Sequence, residues 1–141
     1  MSPEYDRPVV HAPRRRGDAT RSRLGNAARV TLAAIRIVNG ALGLLAPALA
    51  ARKIGAPEGA PLYPWRMFGI RTLILGGELL TRNPELRDKA VQLALPIHAS
   101  DTASAAIGGF LGETSKRTSI MLTAISGTNT VLALLARKTL R

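Results

Sequence analysis

The sequence predicts an all-α fold: a bundle of four membrane-crossing helices behind a disordered basic arm. Three observations carry this reading. Four apolar blocks of about 18 to 23 residues each occupy most of the chain after residue 29, and at 1.5 Å per residue each is long enough for a hydrocarbon core of about 30 Å. None of them alternates with period two, and Ala, Leu and Gly outnumber Val, Ile and Thr, so strands are disfavoured. Lys and Arg total 20 against 9 Asp and Glu, and this excess collects between the blocks. A chain of 141 residues holds one core, which divides it into an arm, 1–26, and a helical domain, 27–141.

The arm carries Arg7, Arg14, Arg15, Arg16, Arg21 and Arg23 among Pro, Gly, Ser and Asp, with almost no large apolar side chains. Such a composition buries too little to offset ordering entropy, so disorder is expected. Arginines can neutralise nucleic-acid phosphates, but Tyr5 is the arm's one aromatic for stacking. A cationic segment beside an apolar helix fits an anionic lipid surface better. The lipid bilayer is therefore the expected partner, and nucleic acid is not.

The first block, residues 30–51, interrupts its apolar run with Arg36 and Asn39. It ends in Ala48-Leu49-Ala50, a small-residue pattern seen at cleavage sites. The long arm and the two polar residues argue against a cleaved signal. RKIGAPEGAP then forms a turn-rich connector, and the second block spans 64–81 with Tyr63 and Trp65 at its start, where interfacial aromatics collect. Asn83, Pro84 and Glu85 read as cap, first-turn proline and dipole-matched acid, so a helix starts near Pro84 and the preceding one stops near Thr81. A turn this short predicts that the two helices lie antiparallel and adjacent. The third block, 90–112, contains Pro96, which is expected to kink it. GETSKR supplies the last turn, with Thr114 or Ser115 as cap, before the fourth block, 119–136.

A soluble bundle is the competing reading, but blocks one and four lack the continuous polar face that water requires. With both termini cytoplasmic, inside segments hold twelve basic residues and outside segments five. The charge bias thus predicts that a multi-pass protein of the cell (inner) membrane has both ends inside.

Four charges fall within the blocks: Arg36, Arg71, Glu78 and Asp101. An unpaired charge at mid-bilayer costs about 2.5–3.5 kcal/mol, so the set is expected to face inward and pair. Arg71 and Glu78, seven apart, project alike. Depth along antiparallel helices predicts the pairs Arg36–Glu78 and Arg71–Asp101. Asn39 extends the Arg36 face, and His98 lies one turn before Asp101. Arg36, Asn39, Arg71, Glu78, His98 and Asp101 form the candidate polar site.

Enzymatic chemistry has little support. Without cysteine there is no disulfide, thiolate metal site or thiol nucleophile. Two histidines without a carboxylate cluster make no metal centre, and no phosphate loop, nucleophile elbow or dinucleotide fingerprint occurs. No catalytic residue, metal or cofactor is expected.

RIVNGALGLLAP (36–47), MFGIRTLILGGELL (67–80) and HASDTASAA (98–106) resemble a family of small four-helix bacterial membrane proteins of unknown function. Its pattern is an Arg and Gly before Leu and Pro, then Phe-Gly-x-Arg with a later Leu-Gly, then two acids; here His98 takes the first acidic place. A more distant similarity is to four-helix membrane proteins linked to quinone or thiol oxidation. The resemblance implies a fold over roughly 30–112 and no activity. Two functional readings follow. One is a structural or accessory membrane component held by intramembrane ion pairs, working with a membrane-protein partner or as a homo-oligomer. The other is a redox or transport component binding a small molecule, lipid or quinone between the second and third helices.

Overall fold

The computed structural model describes residues 16–56 and 58–140. Over these residues the chain is all-α, with no strand. Five helices run in order: α1 (Arg16–Leu45), α2 (Pro47–Lys53), α3 (Tyr63–Leu80), α4 (Pro84–Phe110) and α5 (Lys116–Ala136), closed by a 3-10 turn over Arg137–Thr139.

Two features differ from the sequence expectation. Residues 16–26, assigned to a disordered arm, are the first turns of α1. Ala19, Arg21, Arg23 and Leu24 are good helix formers continuous with the apolar block, and they gain a packing partner: a Cβ built on Gly25 would lie 3.1 Å from Lys138 Cβ and 3.2 Å from Thr139 N. Residues 1–15 of the proposed arm lie outside the described residues. Secondly, the block over 30–51 is two helices. Pro47 lacks an N–H and its ring blocks continuation, so Ala46 leaves the helix at φ −132°, ψ 56° and Pro47 opens α2 as its first residue.

The remaining boundaries follow the capping signals. Pro64 sits in the first turn of α3, and Thr81 ends it in extended backbone. Asn83 Oδ1 accepts from the backbone N–H of Glu85 at 3.0 Å and of Leu86 at 3.3 Å. Helix α4 runs on through Pro96 as one continuous helix. Just past its end, Gly112, with a φ of +76°, lets the Gly108 carbonyl accept from Glu113 N and Thr114 N. Of the two candidate caps for α5 it is Ser115 that serves, its Oγ accepting from Thr118 N at 3.1 Å.

Helix α1 is the axis of the molecule: α3 packs along one side of it and α5 along another, while α4 packs chiefly on α5. The expected close pairing of α3 with α4 is thus confined to a minor contact. Glycines decide the preference. A Cβ on Gly40 would meet the Leu73 backbone N at 2.8 Å, and one on Gly43 the Trp65 carbonyl at 3.0 Å. Gly69 and Gly76 answer from α3, so backbones there touch directly. Helices α4 and α5 are tied by hydroxyls: Ser119 Oγ donates to the Ala105 carbonyl at 2.8 Å, and Thr102 and Thr130 share a hydrogen bond at 3.1 Å.

Size is sorted in an unusual direction. The buried apolar residues are mostly alanines (Ala28, Ala33, Ala50, Ala51, Ala90, Ala94, Ala133, Ala136) with only Leu32, Leu79 and Val91 as large members. Large side chains such as Val38, Phe68, Ile74, Leu93, Ile107, Ile120, Val131 and Leu134 point outward along the helices. Two segments are long and apolar enough to cross a membrane, Ala19–Leu45 with mean hydropathy 1.4 and Lys116–Thr139 with 1.6. Arg66, Arg71 and Glu78 in α3, and His98 with Asp101 among the small hydroxyl residues of α4, keep those two below that mark.

Candidate functional site

Arg36 lies on the α1 face that meets α3 and α4, and only 3% of its surface is exposed. Its Nε–H donates to His98 Nε2 at 3.0 Å, and Nη1 reaches the Leu75 carbonyl of α3 at 3.4 Å. The third nitrogen, Nη2, is buried and makes no hydrogen bond. A guanidinium can only donate, so His98 Nε2 must be the unprotonated nitrogen and the imidazole proton sits on Nδ1. Nδ1 faces Asp101 Oδ2 at 3.8 Å. The result is a line of polar groups running from a buried cation, through a buried neutral imidazole, to a carboxylate that is about half exposed.

The two predicted ion pairs do not form. Arg71 and Glu78 are exposed, and neither makes an ion pair within 4.0 Å among the described residues. Asp101 and Glu78 are still close enough to act on the Arg36 charge, and Arg71 on that of Asp101, so the four charges share one neighbourhood without touching. The cause lies in α3. Successive residues are turned by about 100°, so positions two apart differ by about 200°. Gly69 and Gly76 face α1; Arg71 and Glu78, each two residues further on, are thereby turned away. Arg71 instead lies in a shallow apolar groove with Met67, Ile70, Ile74 and Leu75. Asn39 is half-buried on α1 and makes no side-chain hydrogen bond among the described residues.

Arg29 has no role by sequence position, since it falls between the arm and the first apolar block. In the structure its Nη1 donates to the Leu79 carbonyl, one of the last carbonyls of α3, which has no partner further along that helix. Its Nη2 donates to Asn26 Oδ1 at 2.6 Å. Arg29 and Arg36, two turns apart on α1, thus both reach backbone carbonyls of α3, four residues apart in the opposite direction. The seven-residue spacing of the two arginines is the signal that could have revealed this arrangement.

Two further buried polar atoms lack partners, Asn129 Oδ1 and Thr123 Oγ1 on α5. No group of three His, Asp or Glu that could hold a metal occurs among the described residues. No family model, curated protein or solved structure matches this chain.

Proposed function

We propose that this chain is an integral membrane protein that crosses the bilayer four times with both termini cytoplasmic, acting as a structural or accessory component. The single observation that carries this reading is the inverted sorting of side chains by size. In water a domain with alanines inside and isoleucine, leucine and phenylalanine outside would lose most of its hydrophobic driving force. In lipid, large side chains belong outside and small residues allow helices to approach. The two membrane-length segments and the Gly40/Gly43–Gly69/Gly76 contact support the same conclusion. Helices α3 and α4 carry more polar groups and are read as spanning because they flank α1 and α5 in one bundle.

On this reading Arg36 and His98 fix how α1 and α4 pack, and the Arg29 and Arg36 contacts fix α3. An alkaline carbonate wash of membranes from expressing cells tests it. The protein is expected to remain in the pellet and to enter solution only with detergent; release by the wash alone defeats the proposal.

A second reading is favoured by one feature, the unpartnered Arg36 Nη2 beside His98. A buried guanidinium N–H without an acceptor costs about 1–3 kcal/mol or more, and an acceptor oxygen on a quinone or other small ligand would satisfy it. Co-purification of a quinone or lipid that disappears in Arg36→Met separates this reading from the structural one.

A further inference from the structure

At the end of the molecule remote from Gly55, helix α1, the start of α4 and the 3-10 turn after α5 border a half-open pocket of about 380 Å³. Arg29, Arg87 and Lys138 line it with Ser22, Asn26, Thr139 and Leu140. Three cations converge, and among the described residues no carboxylate belongs to the lining; Asp88 Oδ1 lies 4.0 Å from Arg87 Nε. Arg87 is close enough to act on the Arg29 charge, and bringing like charges together is unfavourable unless an anion sits between them. The cavity is also built rather than accidental. Asn26 Oδ1 and the Leu79 carbonyl hold the Arg29 guanidinium, leaving three of its five N–H groups for a ligand. Gly25 lets the turn carrying Lys138 and Thr139 close against α1.

The structure assigns this cavity, we infer, to a phosphate group, with two guanidinium forks and an ammonium as donors. Guanidinium forks match phosphate oxygens in pairs, and an ammonium adds a point charge. Resting on the membrane reading above, the phosphate is that of an anionic phospholipid, because basic pockets between helices at the cytoplasmic surface take such headgroups. A soluble phosphate would satisfy the same donors, and the experiment tells the two apart.

Purified protein in mild detergent is titrated with phosphatidylglycerol or phosphatidylcholine and bound lipid is counted by native mass spectrometry, with inorganic phosphate and glycerol phosphate as competitors. Arg87→Gln with Lys138→Gln leaves the Arg29 contacts to α3 in place, and Arg52→Gln with Lys53→Gln removes equal charge at the other end. The expected result is preference for phosphatidylglycerol, weakened about tenfold or more by the first pair and unchanged by the second. Displacement of the lipid by inorganic phosphate or glycerol phosphate keeps the site and assigns it to a soluble ligand. Equal binding by wild type and the first pair, or equal loss in both pairs, overturns the proposal. Inorganic phosphate binding is also measured calorimetrically on the same protein, so the cavity can be judged even if carbonate washing shows the chain to be peripheral.

Discussion

A guanidinium buried with 3% exposure needs acceptors, and in this fold they are an imidazole nitrogen and a backbone carbonyl. The sequence marks Arg36 and His98 as buried polar residues because they interrupt apolar blocks. It does not pair them, because depth along a helix says nothing of rotation about the helix axis, and rotation turned Glu78 away from Arg36. Removing the acceptor leaves Nε as well as Nη2 unsatisfied. His98→Ala should therefore cost about 1–3 kcal/mol, seen as a lower unfolding midpoint in detergent. Pairing His98→Leu with Arg36→Met removes donor and acceptor together and should cost less than the two single changes summed, with a coupling of about 0.5–3 kcal/mol. Strict additivity would mean that the contact contributes nothing. Asp101→Asn should cost less than His98→Ala, since Asp101 is half exposed and 3.8 Å from the ring.

Among the elements, the contrast between glycines of α3 that face α1 and one that does not tests how the bundle is built. A Cβ at Gly76 would meet Ile37 Cγ1 at 3.0 Å and Arg36 Cβ at 3.1 Å, and one at Gly69 would run into the α1 backbone, whereas Gly77 has open space. Gly69→Leu should separate α1 from α3 and abolish folded yield in detergent. Gly77→Ala should be neutral or raise the unfolding midpoint, since alanine exceeds glycine in helix propensity by about 0.8–1 kcal/mol. Similar losses from both changes would mean that glycine serves helix flexibility here and not the approach of two backbones. Helix ends were the part of the fold most legible in the sequence, because caps are local: Asn83 and Ser115 act within three residues of themselves. The choice of packing partner was less legible. The short turn at 81–83 suggested α3 against α4, yet glycine stripes far apart in sequence bring α3 to α1 instead. The start of α1 was hidden for a related reason: arginine-rich turns look unstructured until the C-terminal turn packs on Gly25.

For the whole molecule, the contacts sort the connections into two ends. Arg29 meets Leu79, and Ser22, Arg87 and Lys138 share a cavity, so the beginning of α1, the α3–α4 turn and the end of α5 lie together. Thr118 Oγ1 donates to the Ile54 carbonyl at 3.0 Å, placing the end of α2 beside the start of α5 at the other end. The first end carries Arg21, Arg23, Arg82, Arg87, Lys89, Arg137 and Lys138, against Arg52, Lys53, Arg66, Lys116 and Arg117 at the second. On the membrane reading proposed above, this asymmetry is expected to set the orientation, because basic segments stay on the cytoplasmic side. The chain contains no cysteine, so single substitutions report position without background. Glu58→Cys and Thr114→Cys should react with a membrane-impermeant maleimide applied to intact spheroplasts. Ser22→Cys and Arg82→Cys should react only after the membrane is broken. Labelling of Glu58→Cys together with Ser22→Cys from outside would contradict the orientation derived from charge. Labelling of Glu58→Cys and Thr114→Cys on opposite sides would be more damaging, since it would break the antiparallel arrangement that places Ile54 against Thr118.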